Sequence, residues 1–268
     1  VSILNPISED QNVMRTTLVP GLLETAARNL AQQVRDLRLF EVGKVFFAER
    51  GDRQPDEVEM AAALMCGGAE RAGWYGKSRP VDFYDVKGAL EGVFAALKTP
   101  AAVFSAVDGD DRACFLRPGH GATVTISGHF AGIVGEVRPD VLERYGIGQP
   151  VFVFELDLAC LSERLPSSIQ VRPTPRYPAT TRDITLIVDR GLEAADALRR
   201  IEAADAPFVE SVQVFDVFEG DPIPRGRKSL SIRVVYRSGE GTLADAEVNR
   251  IHGDLTRGLL DALGAELP

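Results

Sequence analysis

The chain has 268 residues, 45% hydrophobic and 26% charged, an ordinary globular balance that excludes disordered and fibrous classes and suits two domains better than one core. A formal net charge of −9 excludes a general nucleic-acid coat, because nonspecific phosphate binding needs a basic field; any RNA contact must be local, and no DNA partner is expected. No apolar run approaches the roughly 20 residues that span a bilayer, and no basic, apolar leader precedes the patterned sequence, so a cytoplasmic setting without a membrane partner is expected.

Val1 to Asp10 reads as extended and proline-broken, and the abrupt start at Val1 is expected of a piece of a larger protein. Pro20 suits the first turn of a helix over Pro20 to Arg35, where its missing N–H costs nothing. Leu22, Leu23, Ala26, Ala27, Leu30 and Val34 form its apolar stripe, with Glu24, Arg28 and Gln32 outside. Leu37 to Phe47 alternates as a strand, and Gly43 inside it predicts a bulge or a close neighbouring backbone. A second strand, Glu59 to Cys66, stops at Gly67-Gly68. The following loop holds Trp74 and Tyr75, which either cap the rim of the core or meet a ligand base or partner protein.

Asp82 to Leu97 predicts an amphipathic helix with Val86, Leu90, Val93, Phe94 and Leu97 on one face, Asp82 as N-cap, and Lys87 paired with Glu91 on the surface. Strands are predicted around Ala101 to Val107, Arg112 to Leu116, Ala122 to Ser127 and Phe130 to Val137. Pro139 begins a short helix through Tyr145, and Val151 to Leu158 is a strongly apolar strand. Hairpin order predicts a mainly antiparallel sheet with a few helices against it. Cys66, Cys114 and Cys160 lie far apart in apolar, strand-like runs without a CxxC pair, and are expected as reduced core residues.

Pro173, Pro175 and Pro178 hold the next stretch extended. Ile184, Leu186 and Val188 then alternate with Thr185, Ile187 and Asp189 as a strand with one face better buried. Helix, strand, strand, helix and a short final strand follow, the split βαβ order of a ferredoxin-like βαββαβ domain. The fold class expected is α+β, with a sheet-rich module over 1–170 and the ferredoxin-like domain over 175–268. No P-loop, GxGxxG after a strand, HExxH or GxSxG is present. His120 in the turn Arg117 to Gly121, His129 beside a hairpin glycine and His252 in the last helix do not assemble a nucleophile with its base, so neither catalytic residues nor a metal site is expected.

Several motifs together resemble the bacterial phenylalanyl-tRNA synthetase β chain. They are Asn5-Pro6, Met14-Arg15-Thr16 with Leu18-Val19-Pro20-Gly21-Leu22-Leu23, the strand Leu39 to Phe46, and the helix start Phe83-Tyr84-Asp85-Val86-Lys87-Gly88. The turns Arg117-Pro118-Gly119 and Gly132 to Pro139 are also similar to that family, with Arg117 and Arg138 where it usually carries histidine. In the second half, Tyr177-Pro178, Arg182-Asp183, Phe215-Asp216-Val217-Phe218, Lys228-Ser229-Leu230 and Thr242-Leu243 resemble the family's terminal anticodon-binding domain, although Pro268 stands where the family commonly has arginine.

The resemblance implies a non-catalytic, class-II-synthetase-like module that packs against a catalytic α chain, followed by a domain that binds the anticodon region of tRNA-Phe, in an enzyme built as a pair of αβ dimers. It implies ATP and magnesium for the whole enzyme and no cofactor here, since the phenylalanine and ATP site belongs to the α chain and the proofreading domain and magnesium site lie upstream. The helix Pro20 to Arg35 and the Trp74 loop are the expected α-chain contacts, with an exposed apolar patch. In the terminal domain both helices should cover one sheet face, leaving the other for RNA. Phe215, Phe218 and Tyr236 are its candidate stacking residues, unless they pack in the core or against the preceding module. Arg225, Arg227 and Lys228, on the loop joining the two middle strands, and Arg176, Arg182 and Arg190 are the candidate phosphate contacts, with Asp183 and Asp216 expected to orient these arginines or cap turns. A solvated loop without a partner is the alternative. Two other readings are a small-molecule sensor, which requires a closed polar pocket, and a hydrolase whose residues converge only in space, for instance His120 with Glu136 or Asp157.

Overall fold

The computed structural model describes residues 1–7, 12–48, 54–70, 73–74, 76–107, 109, 111–169, 171 and 173–268. Residues 8–10 of the extended opening stretch and Tyr75 of the aromatic pair lie outside the described residues. The chain forms two compact units, Val1–Gln170 and Val171–Pro268.

The first unit is built on a sheet of order β1-β2-β6-β5-β4-β3, with every neighbouring pair antiparallel. Its strands are β1 (Leu37–Phe47), β2 (Asp56–Cys66), β3 (Ala102–Ala106), β4 (Leu116–Ile126), β5 (His129–Val137) and β6 (Val151–Asp157). The sheet is organised around β6, whose side chains alternate between two cores. Val151 and Val153 join the core under α1 (Val19–Ala31) and α3 (Pro139–Arg144), whereas Phe152, Phe154 and Leu156 join the core under α2 (Phe83–Leu97) and α4 (Leu158–Ser162). Burial on both faces explains why β6 reads as an unbroken apolar run instead of an alternating one.

Glu155 is the polar exception in β6. By alternation it faces the α1 side, where it accepts hydrogen bonds from the Leu18 N–H (2.6 Å) and the Thr17 hydroxyl (3.0 Å). Leu18 caps α1 without a side-chain acceptor of its own, so the buried carboxylate supplies one from another strand at the positive end of the helix. Burial pushes the Glu155 carboxyl up, against those two hydrogen bonds. Close approach beside it requires glycine: a Cβ on Gly132 would stand 2.2 Å from the Glu155 carbonyl oxygen.

Asp82 does cap α2. It accepts from the Tyr84 and Asp85 N–H groups while Asp85 reaches back to the Asp82 N–H, a reciprocal capping box. Lys87 and Glu91 form their surface ion pair.

Several expectations need correction. The first helix ends at Ala31, short of Val34 and Arg35. Gly43 lies in an unbroken β1–β2 ladder and makes room for a side chain: a Cβ there would meet Arg15 Nη2 at 2.4 Å, where the Arg15 Nε donates to the Lys44 carbonyl. Arg112 to Leu116 is a 3-10 turn, Asp111–Ala113, leading into β4. Arg117 to His120 is not a free turn but a bulge inside β4, marked by the register shift between Leu116 and Gly121. Cys66 and Cys160 are buried, but Cys114 is exposed.

The second unit is a sheet of order β7-β9-β8, from β7 (Thr180–Asp189), β8 (Val209–Phe218) and β9 (Arg227–Tyr236), backed by α5 (Ala194–Ala203) and α6 (Asp245–Leu263). Ile184, Leu186 and Val188 of β7 and Leu230, Ile232, Val234 and Tyr236 of β9 share one core with Ala197 and Ile201 of α5 and Val248, Ile251, Leu255 and Leu259 of α6. Both helices therefore cover the same face. The short final strand is reduced to one bridge: α6 ends at Gly264 with φ +57°, and the returning chain pairs Glu266 with Ile187.

Candidate nucleic-acid interface

Strand alternation decides what the helix-free face of the second unit carries. Since Leu230, Ile232, Val234 and Tyr236 point at the helices, Ser229, Ser231, Arg233 and Val235 point away. The register sets Asp183 and Gln213 on either side of Arg233, Thr185 and Asp216 on either side of Ser231, and Ile187 and Phe218 on either side of Ser229. A bulge between Val214 and Asp216 brings Phe215 onto the same surface. Phe215 and Phe218, 47% and 45% exposed, thus frame Asp216 along β8.

At the centre of this face Arg233 donates from Nε and Nη2 to the two carboxylate oxygens of Asp183, each at 2.8 Å. Its guanidinium carbon lies 4.8 Å from the Phe215 ring centroid, a cation–π contact. The guanidinium beside Asp183 holds that carboxyl below the usual carboxylate range. Thr185 and Ser231 share a hydrogen bond of 3.1 Å in the next row.

The candidate residues divide. Tyr236 does not belong to the face: it is 0% exposed, and its hydroxyl shares a 3.0 Å hydrogen bond with His252 Nδ1 beneath α6. Arg182 has the parity of Ile184, so it points to α6, where it donates to Asn249 (2.9 Å) and Asp245 (2.7 Å). Arg227 and Lys228 are the first residues of β9 and not part of the loop. Lys228 is in register with buried Val188 and so has the helix-side parity. Arg227 turns to the Ile187 carbonyl (2.8 Å) and to Glu266 (3.4 Å). Arg190 and exposed Arg225 do come together with Arg227, lining a groove of about 490 Å³ between the β7–α5 turn and the β8–β9 loop; the Arg190 N–H donates to the Gly226 carbonyl and its guanidinium pairs with Glu219 at 3.0 Å. Arg176 is exposed at the bend before β7.

Arg233 was missed by the sequence reading, although the alternation Leu230, Ile232, Val234, Tyr236 carries the signal that sets it outward. Asp183 orients none of the candidate phosphate-contact arginines; its partner is Arg233. Arg237, also missed, ties the approach to β7, donating to the Tyr177 carbonyl (2.6 Å) and Glu210 (3.0 Å).

Other possible sites are weaker. His120 Nδ1 does lie 3.1 Å from Glu136, but Glu136 also accepts from Arg117 (3.0 Å), and Asp157 caps α4 through the Cys160 N–H. Among the described residues no group of three or more His, Cys, Asp or Glu side chains converges as a metal ligand set would. A groove of about 470 Å³ between α5 and α6 is open and mostly apolar, floored by Ile251, Leu255 and Leu259, unlike the closed polar pocket that a small-molecule sensor requires.

Two family models cover most of the chain. Residues 175–268 match the ferredoxin-fold anticodon binding domain, which agrees with the helix-backed sheet just described. Residues 1–158 match the phenylalanyl tRNA synthetase beta chain CLM domain, and the chain belongs to the phenylalanyl-tRNA synthetase β chain family. It is 42% identical over 267 residues to the phenylalanine–tRNA ligase beta subunit of Geobacter sulfurreducens, an alignment taking in 100% of this chain and 33% of that protein. The corresponding subunit of Syntrophotalea carbinolica is 38% identical, covering 100% of this chain and 33% of that protein. That of Symbiobacterium thermophilum is also 38% identical, covering 100% and 29%. The chain thus spans about one third of the length of the curated relatives it matches.

Proposed function

We propose that the chain is the C-terminal part of the β chain of a phenylalanine–tRNA ligase, in which the unit Val171–Pro268 binds the anticodon region of tRNA-Phe on its helix-free sheet face. The observation that carries this is the pair of half-exposed phenylalanines, Phe215 and Phe218, on an open sheet surface within the anticodon-binding match. Single-stranded bases stack on such rings whatever their identity. Arg176, Arg190 and Arg225 at the edges of this unit are the phosphate contacts, while Arg182 is engaged by α6, Arg227 by the Ile187 carbonyl and Glu266, and Lys228 has the helix-side parity. Local cations of this kind reconcile RNA binding with an acidic chain.

In this reading the first unit carries no reacting groups and packs against the catalytic α chain, within a heterotetramer of two αβ pairs in the cytoplasm. ATP and magnesium serve the whole enzyme, and this chain contributes no ligand set for them. The apolar stripe of α1 is spent on its own core. The α-chain contact is therefore assigned to apolar residues that remain outside: Phe40, 79% exposed, and Val42 on the outer face of β1, Leu4 and Ile7 before α1, and Trp74, 97% exposed. Among the described residues no helix is long and apolar enough to cross a membrane.

The test is the F215A/F218A pair in the full β chain assembled with its α chain, with tRNA-Phe affinity measured by filter binding. Loss of two stacking contacts, each worth about 1–3 kcal/mol, should weaken binding at least tenfold. Unchanged affinity would remove the face from the RNA path.

A further inference from the structure

We infer that Arg233 is a specificity-determining residue, reading the edge of one unpaired nucleobase that settles beside Phe215, with Asp183 as its positioning residue. This deepens the tRNA-binding reading and rests on it. Three observations carry it.

First, the guanidinium is held from two sides. Asp183 fixes its Nε and Nη2 edge at 2.8 Å on each oxygen, and the Phe215 ring lies 4.8 Å from its carbon. Holding an arginine this way removes most of the rotamer freedom that a contact would otherwise have to freeze out. Second, one donor edge is left over. Side-on pairing to a carboxylate leaves the end-on edge, with one N–H from Nη1 and one from Nη2, aimed away from Asp183. Such a double donor matches a base edge with two adjacent acceptors, which is the O6 and N7 pair of guanine or, in an unpaired base, the N3 and O2 pair of cytosine. Third, the charge is already neutralised. The Asp183–Arg233 pair is close to neutral, so it adds little to long-range attraction for phosphate, and its contribution is realised only at contact. Exposed Arg225, on the loop, is the opposite case.

The two roles separate experimentally in the assembled enzyme. The measurement is binding of tRNA-Phe transcripts in which each unpaired anticodon-loop guanine is replaced in turn by adenine and each unpaired cytosine by uracil, over a series of salt concentrations. The parent enzyme should disfavour at least one replacement by roughly tenfold to a hundredfold, the range for a bidentate contact. R233A/D183N, which removes both charges together, should collapse that ratio towards one while leaving the slope of log affinity against log salt unchanged. R233K, which keeps the charge but not the fork, should collapse it equally. D183N should also lower the ratio, yet steepen the salt slope by about 0.7 because a cation is unmasked; a merely structural aspartate would not steepen it. Thermal unfolding of each variant shows that it folds. Uniform weakening of all transcripts by R233A/D183N with a shallower salt slope would make Arg233 a phosphate contact and overturn the inference, as would an unchanged ratio. If the double phenylalanine variant also binds normally, the fault lies in the tRNA-binding reading itself.

Discussion

Replacing Tyr236 by phenylalanine tests whether this residue belongs to the core or to the RNA surface. The side chain is fully buried, its ring meets the His252 ring edge-on at 5.9 Å, and burial pushes the phenol up to about 12. The hydroxyl therefore stays protonated and shares a 3.0 Å hydrogen bond with His252 Nδ1. Tyr236→Phe keeps the ring and deletes only that hydroxyl, leaving a half-buried imidazole nitrogen unpaired. The cost of an unsatisfied buried polar group is about 1–3 kcal/mol, and partial exposure of His252 sets the lower end, about 1 kcal/mol. In a unit of this size that lowers Tm by about 4–8 °C, readable by circular dichroism or calorimetry. The pH dependence is set mainly by burial. Burial holds His252 below its unfolded value of about 6.5, so between the two values the unfolded chain binds the extra proton, and stability falls as pH is lowered through that window. Because the phenylalanine ring keeps the imidazole covered, that decline should persist in the variant. Affinity for tRNA should not change. A Tyr236→Phe variant with unaltered unfolding and tenfold weaker tRNA binding would refute the assignment of this residue to the core.

Glu155→Gln keeps an acceptor for the Leu18 N–H while removing a carboxylate whose folded pKa is raised by burial. Stability in the parent should fall as pH rises from about 4.3 through that higher folded value; the Gln variant should lose this dependence and be no less stable at pH 7, whereas Glu155→Ala should cost about 1–3 kcal/mol in denaturant unfolding. Gly132→Ala should destabilise the first unit by about 1–3 kcal/mol or more, because its Cβ meets strand backbone at 2.2 Å. Gly43→Ala should cost less in the same measurement, because only the movable end of Arg15 stands in the way. Equal losses at the two glycines would contradict the distinction between backbone and side-chain obstruction.

Much of the fold was legible because alternation and capping are local. Asp82 announces its helix in the few residues that form the cap, and the β-branched run Ile184 to Val188 declares both a strand and its buried side. Elements that depend on partners elsewhere were less visible. Nothing near Glu155 indicates that it completes the start of α1, more than a hundred residues earlier. Arg112 to Leu116 is too short for periodicity to separate a strand from a turn. At the candidate site, choosing aromatics by type selected Phe215 and Phe218 together with Tyr236, although the Leu230, Ile232, Val234, Tyr236 alternation already assigns the tyrosine to the helix side. The Asp183–Arg233 pair spans 50 positions in sequence, and only the β7–β9 register reveals it.

The bridge between Ile187 and Glu266 has a consequence for solubility. Outer strand β7 would otherwise present ten residues of backbone, available to any strand from another molecule. Glu266 blocks that border near its C-terminal end with two hydrogen bonds, 2.7 and 3.0 Å, and the Arg227 side chain adds a third at the Ile187 carbonyl. A few residues of tail thus serve as a selvedge, and clipping them would turn a finished border into a template for intermolecular growth.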